Sequence, residues 1–169
     1  PTTKKWYDLV HSKLFISFDM AKERVIGQAV LTLKPYFYTT NQLILDAKNF
    51  DINKISAVKS GIDLKYTYDN KQLSITLERP YRRNEEFSIL IDYIAKPSEG
   101  EIGGSEAITS DKGLYFIDSK DTDPLKPTQI WTQGETESNS RWFPTIDKPN
   151  ERCTFDMFVT VDNKYKCLS

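Results

Sequence analysis

The sequence predicts an all-β fold: an antiparallel β-sandwich, or a saddle-shaped pair of sheets, in a single domain. Apolar and polar residues alternate in short runs; Leu73, Ile75 and Leu77, for example, alternate with Ser74 and Thr76. This alternation has the period of a half-buried strand. Compact turn signals separate the runs, and no segment shows helical periodicity. Closely spaced strands without helices are typical of antiparallel sheets.

The elements follow in order, beginning with a hairpin. Residues 14–19 and 24–33 form apolar or alternating runs on either side of a polar turn at 20–23. Further strands are predicted over residues 43–47, 64–68, 73–77, 87–94, 114–117, 129–133 and 154–161. The candidates for the core are Leu14, Ile16, Val30, Leu73, Ile75, Leu77, Ile89, Ile91, Phe155 and Val159.

Composition limits the classes of function. A chain of 169 residues fits one domain, and its 23 basic and 24 acidic residues nearly cancel. Without a net positive field, the overall charge favours neither a nucleic-acid partner nor an anionic membrane. No apolar run is long enough for a transmembrane segment, and the composition is that of a soluble globular protein. The chain shows no targeting segment, so the sequence does not indicate a compartment.

The two cysteines, Cys153 and Cys167, are predicted to be free thiols. If the chain after residue 161 forms a hairpin that turns near residues 162–164, Cys167 lies opposite Val159. Cys153 is then too far along the strand for a disulfide of ordinary geometry.

The histidine count excludes a catalytic zinc site in this chain. Catalytic zinc usually has three protein ligands, commonly including two histidines, and His11 is the one histidine present. We therefore expect no metal ligands, no cofactor and no catalytic residues here. His11 lies in or beside a strand, and we expect its role to be structural.

Residues 132–149 carry the densest chemistry in the chain. If the backbone stays extended, Gln133 and Glu135 project from the same face, and Gly134 leaves room for a close approach. A carboxylate beside an amide oxygen can accept hydrogen bonds from an ammonium group. A peptide amino terminus, with a pKa of about 7.7–8.0, provides such a group at neutral pH. The same spacing also fits an ordinary exposed Gln and Glu at the end of an edge strand.

This segment resembles the one that closes the N-terminal β-domain of the zinc aminopeptidases of the aminopeptidase N and leukotriene hydrolase family. The family pattern is Thr-Gln-x-Glu, then Arg, then Phe-Pro-Cys-x-Asp-Glu-Pro. The family Arg falls nearest Ser140 or Arg141, out of exact register. The positions that agree are Thr132, Gln133, Glu135, Phe143, Pro144, Asp147 and Pro149. Thr145 replaces the family Cys and Lys148 replaces the family Glu.

The resemblance implies a function. In the family, the matching Gln and Glu line the first substrate subsite and help to hold the α-amino group, so Gln133 and Glu135 are the expected substrate-binding residues. The expected partners are a peptide N-terminus and a downstream domain of the same protein that binds zinc. The resemblance further implies that residues 1–169 are an excised N-terminal domain without its last strands. Trp142 and Phe143 are interpreted as hydrophobic anchors, and Asp147 as a turn residue that bonds its own backbone.

Two alternatives belong to other classes. A stand-alone β-sandwich binding module, carbohydrate-binding or adhesive, would use the aromatic clusters 36–38 and 142–143. A glycosidase would pair Glu135 with Glu137 or Asp147 as its two carboxylates.

Overall fold

The computed structural model describes residues 5–100 and 111–168, and this part of the chain is almost entirely β. The strands are β1 (Tyr7–Asp19), β2 (Arg24–Pro35), β3 (Thr40–Asp46), β4 (Phe50–Ala57), β5 (Lys65–Tyr68), β6 (Gln72–Tyr81), β7 (Phe87–Ala95), β8 (Leu114–Ile117), β9 (Gln129–Thr132) and β10 (Thr154–Thr160). A single 3₁₀ turn spans Asn139–Arg141. The predicted all-β class is confirmed. The predicted domain span of 1–169 also includes residues 1–4, 101–110 and 169, which lie outside the described residues.

The strands form three sheets. The largest has the order β10-β1-β2-β7-β4, the second has the order β3-β6-β5, and β8 pairs with β9 in a two-stranded ribbon. Every pairing is antiparallel except that of β1 with β10, which is parallel. The predicted antiparallel architecture is therefore correct in all but one pair of strands.

The two larger sheets share one hydrophobic core. Leu31 and Ile89 of the five-stranded sheet and Leu43 and Ile75 of the three-stranded sheet belong to the same buried cluster. Burying side chains of this size contributes about 1.5–3 kcal/mol each. Seven predicted core residues are buried: Leu14, Ile16, Leu73, Ile75, Leu77, Ile89 and Ile91.

Three predicted core residues are not buried. Val30 is only partly buried, because its neighbours Ala29 and Leu31 take the inward-facing positions of β2. Phe155 and Val159 are 46% and 39% exposed. They lie on β10, which has β1 on one side and no strand on the other in the described part of the chain.

Strand β4 was not predicted from the sequence. Its pairing with β7 shifts register between Ile52 and Lys54. Such a bulge places an extra residue in one strand and breaks the period-two pattern of apolar positions. The alternation that identified the other strands is therefore missing from β4.

His11 and the cysteines have structural surroundings. His11 lies in β1, where its Nδ1 is 2.7 Å from Thr154 Oγ1 of β10 and its Nε2 is 3.5 Å from Asp156 Oδ2. Cys153 and Cys167 are both free. The hairpin expected after residue 161 is not formed, because no strand follows β10 up to residue 168. No helix in the described ranges is long and apolar enough to cross a membrane.

Candidate functional site

The β8–β9 ribbon leads the chain to Gln133. The rings of Tyr115 and Trp131 stack across the ribbon with centroids 4.4 Å apart. Directly after β9, the Gln133 N–H donates to the Gly113 carbonyl at 2.9 Å. This bond fixes the backbone of Gln133, whose side chain is half-buried.

The chain then turns at Glu135. The Ser138 N–H donates to the Gly134 carbonyl at 3.1 Å, and the Ser138 hydroxyl donates to the Glu135 carbonyl at 3.3 Å. The peptide bond between Glu135 and Thr136 is cis. Because the Ser138 N–H bonds back to the Gly134 carbonyl, the chain turns at Glu135, and the extended backbone expected through Glu135 is wrong. Gln133 and Glu135 instead flank Gly134 at the start of a tight turn, and the Glu135 side chain is exposed.

The space beside Gly134 is occupied from within the chain. A Cβ atom at this position would overlap the carboxamide of Asn139. The close approach expected at Gly134 is made by a side chain of the same loop. The missing side chain of Gly134 allows Asn139 to pack against the loop.

Gly113 joins the ribbon to the same loop. Its φ of +68° lies in the left-handed region, and a Cβ there would overlap the Ser138 carbonyl. Both conditions favour glycine. The ribbon and the Glu135 turn are therefore in direct backbone contact.

The segment at the end of β3 braces the loop from the other side. The Lys48 N–H donates to the Ser140 carbonyl at 2.7 Å, and Lys48 Nζ donates to the Glu137 carbonyl at 2.5 Å. Asp46 and Thr145 exchange two backbone hydrogen bonds of 2.7 and 3.1 Å. These contacts fix the chain on both sides of the 3₁₀ turn.

Asp147 is a buried structural carboxylate. Its Oδ2 accepts the Ser140 N–H at 2.9 Å, and its own N–H donates to Asp46 Oδ2 at 3.0 Å. Burial raises the pKa of Asp147, an effect that the Ser140 hydrogen bond opposes. The prediction that Asp147 bonds within its own turn is incorrect, because its Oδ2 accepts from Ser140, seven positions earlier.

Trp142 and Phe143 anchor the loop in the core. They are 5% and 3% exposed, and their ring centroids lie 4.5 Å apart. Phe143 also packs edge-on against Phe155 of β10. The predicted role as hydrophobic anchors is confirmed.

The side chains of Gln133 and Glu135 remain available. Within residues 5–100 and 111–168, neither forms a hydrogen bond or an ion pair through its side chain. Glu137, by contrast, accepts a 2.7 Å ion pair from Lys148 and raises the pKa of that lysine. Because Glu137 and Asp147 both have partners in the fold, a glycosidase pair with Glu135 is not favoured.

No metal centre is formed by the residues that the structure describes. They contain no group of three or more His, Cys, Asp or Glu side chains that could hold an ion. His11 is engaged with Thr154 and Asp156 of β10. Zinc would need ligands from outside these residues.

The fold is shared with known zinc peptidases. It superposes on a two-domain M1 zinc metallopeptidase mutant bound to L-arginine with a TM-score of 0.77 and 18% identity, covering 95% of this chain and 34% of that one. An M1 zinc metallopeptidase from Deinococcus radiodurans gives a TM-score of 0.71 at 17% identity, with 92% and 32% covered. Leukotriene A4 hydrolase from Saccharomyces cerevisiae gives 0.67 at 20% identity, with 90% and 23% covered. At these identities the likeness is one of fold, and the chain spans about a third or less of each protein's length.

The sequence itself gives the assignment. The family model of the Peptidase M1 N-terminal domain matches residues 4–169, nearly the whole chain. The match includes the β8–β9 ribbon, the braced loop and the anchors Trp142 and Phe143. The chain therefore belongs to the Peptidase M1 N-terminal domain family.

Proposed function

We propose that this chain is the N-terminal domain of a zinc-dependent aminopeptidase and that Gln133 and Glu135 bind the α-ammonium group of the peptide substrate. The observation that carries the proposal is the contrast within one loop. Glu137 and Asp147 are bound to neighbouring groups, whereas the side chains of Gln133 and Glu135 have no partner among the described residues.

The brace around the loop supports this role. Backbone contacts to Gly113, Asp46 and Lys48 hold the chain before and after Glu135. A carboxylate presented on a fixed backbone loses little conformational freedom when it binds a ligand. The fixed backbone on both sides of Glu135 supports the proposal that its exposed carboxylate receives a cation.

The chemistry selects for a chain end. The Glu135 carboxylate would accept N–H bonds from the ammonium group, and the Gln133 amide oxygen would accept a further one. An internal peptide segment has no such charge and would leave the carboxylate desolvated without a partner. This difference would favour the release of single residues from the amino terminus.

The ligands of solved M1 zinc metallopeptidases support this proposal. Solved M1 zinc metallopeptidases are described as bound to L-arginine, to L-tryptophan and to a Tyr-Ser-Ala substrate. We infer that the parent of this chain acts on peptides of the same kind. Zinc, held by a separate catalytic domain of that parent, would supply Lewis-acid activation of the scissile carbonyl.

The other binding-module hypothesis is weakened at one of its two clusters. Trp142 and Phe143 are buried and are not available for stacking on a sugar. The cluster at 36–38 is exposed and lies far from this loop in the sequence.

The test is a kinetic comparison in the parent enzyme. Glu135→Gln keeps the side-chain shape and removes its charge. We therefore expect kcat/KM on peptides with a free amino end to fall roughly 10- to 150-fold, which corresponds to a loss of about 1.5–3 kcal/mol of transition-state stabilisation. Gln133→Ala should cost less, because the amide carries no charge. N-acetylated peptides should be poor substrates for the unmodified enzyme and should show no comparable loss from Glu135→Gln.

Glu137→Gln is the matched control, because it removes a carboxylate two residues away that pairs with Lys148. Any loss it causes should be equal for free and acetylated peptides. If Glu135→Gln also lowered kcat/KM equally for both substrates, Glu135 would support the loop and would not bind the amino group.

A further inference from the structure

Three segments meet beside the start of β1. Trp6 precedes β1, residues 36–38 join β2 to β3, and Arg82 and Arg83 lie in the turn between β6 and β7. The Tyr36 N–H donates to the Trp6 carbonyl at 2.9 Å, and the Asn84 N–H donates to the Pro35 carbonyl at 3.3 Å. These backbone bonds hold the three segments together.

This region presents large aromatic side chains to solvent. Trp6 is 54% exposed, Tyr36 41%, Phe37 58% and Tyr38 65%; we call these four residues the aromatic tip. Contiguous exposed apolar surface of this kind commonly marks an interaction site. Three aromatic residues in succession at the end of two strands are not required by the core, which lies between the sheets.

The rings are held in place, and they do not form a plane. Lys5 Nζ lies 5.3 Å from the centroid of Tyr36, and the Arg83 guanidinium lies 5.8 Å from that of Phe37. The planes of Tyr36 and Phe37 are 83° apart, and those of Phe37 and Tyr38 are 51° apart. A flat platform for stacking sugars would need nearly coplanar rings, so this arrangement does not fit a carbohydrate-binding face.

Positive charge borders the tip. Arg82 and Arg83 are exposed and form no ion pair in the part of the chain that the structure describes. Glu85 is engaged by Arg79 at 2.5 Å, which leaves Glu86 as the exposed carboxylate beside Arg82 and Arg83. Arg79, Arg82 and Arg83 line an open cleft of about 590 Å³. Guanidinium groups are well suited to bind phosphate oxygens.

We propose that the aromatic tip binds the surface of an anionic lipid bilayer. Trp and Tyr favour the membrane–water interface, where the ring lies among the acyl chains and the polar atom remains hydrated. Phe37, between two tyrosines, would enter the acyl region, while Arg82 and Arg83 contact headgroup phosphates. The small excess of positive charge makes ring insertion the main source of affinity and the lipid charge a secondary one.

The experiment measures partition of the full chain into vesicles by co-sedimentation. One set of vesicles is phosphatidylcholine alone, and the other contains about one third phosphatidylglycerol. We expect binding to the anionic vesicles, and about tenfold weaker partition when Phe37→Ser and Tyr38→Ser remove two exposed rings. Arg82→Gln with Arg83→Gln should abolish the preference for the anionic vesicles.

The matched control is Val58→Ser with Ile62→Ser. These residues are 49% and 55% exposed in the turn after β4, so the pair removes apolar surface at another site. Partition of this control should equal that of the unmodified chain. A second readout is quenching of Trp6 by brominated lipid in a Trp131→Phe background, where the remaining Trp142 is buried. The proposal would be overturned if the chain bound neither kind of vesicle, or if the tip pair and the control pair lost partition equally. Another protein surface would then be the occupant of the aromatic tip.

Discussion

Gly113 is the residue at which the β8–β9 ribbon meets the loop that carries Glu135. It is left-handed with φ of +68°, and the Ser138 carbonyl occupies the space where a Cβ would lie. Gly61 has nearly the same conformation, with φ of +70°, but has no atom within 4 Å of its Cβ position. Adding a Cβ at Gly61 tests the backbone conformation alone, whereas adding one at Gly113 also tests the contact with the Ser138 carbonyl.

Alanine substitutions at these positions should differ in stability. Gly61→Ala should cost about 1–2 kcal/mol from the left-handed backbone alone. Gly113→Ala should cost a further about 1–3 kcal/mol, because the loop must move to admit the methyl group. Urea unfolding of both variants measures the difference. Equal losses would show that Ser138 does not pack against Gly113 in solution.

Asp147 gives a second prediction at this scale. Asp147→Ala leaves the buried Ser140 N–H without an acceptor and should cost about 1–3 kcal/mol. Asp147→Asn retains an acceptor and removes the buried charge, so it should cost less. Urea unfolding near neutral pH compares them; a larger cost for the Asn variant would contradict the assigned hydrogen bond.

The raised pKa of Asp147 makes this comparison depend on pH. The folded protein binds the proton more readily than the unfolded chain, whose pKa is near the ordinary 3.8. Protonation of Asp147 therefore adds to the free energy of unfolding. This contribution is fully present below the unfolded pKa and is lost as pH rises through the folded pKa. Acidification through this window should therefore stabilise the unmodified chain relative to Asp147→Asn.

The position of strand β10 is predicted correctly from the sequence, but its exposure and its pairing are not. All seven of its residues are exposed, including Phe155, Met157 and Val159. It pairs in parallel with β1, from which it is separated by nearly the whole chain. Its free edge has neither lysine nor proline, the residues that commonly protect an edge strand from pairing with another chain.

We predict that this edge drives self-association of the isolated chain. Met157→Lys should reduce light scattering at high protein concentration, while stability changes by no more than about 0.5 kcal/mol. Val58→Lys is the control, since it adds the same charge at a residue of similar exposure in a turn. If both variants reduced scattering equally, net charge rather than the β10 edge would be responsible.

At the scale of the whole molecule, the sequence was informative where apolar positions alternate locally. Leu73, Ile75 and Leu77 were recognised as inward-facing because β6 is regular along this stretch. The bulge at Ile52 removed the same signal from β4. The parallel pairing of β10 has no local signature, so Phe155 and Val159 could not be recognised as edge residues.

The sequence indicates which segment forms the candidate site, but it does not indicate how that segment is folded. Its density of polar and aromatic residues indicates the segment, and the family resemblance indicates Gln133 and Glu135 within it. Its brace comes from Asp46 and Lys48, roughly ninety residues earlier, and no spacing in the sequence indicates that contact. The turn at Glu135 likewise depends on bonds from Ser138 that strand periodicity does not show.

Recognition of the α-ammonium group by Glu135 is the central claim, and a thermodynamic cycle tests it most directly. Calorimetry would compare the parent enzyme and its Glu135→Gln variant, each binding a peptide analogue with an α-amino group and a matched analogue with an α-hydroxyl group. We predict a coupling energy of about 1.5–3 kcal/mol between the carboxylate and the ammonium group. A coupling energy of zero, with the substitution weakening both analogues equally, would contradict the claim.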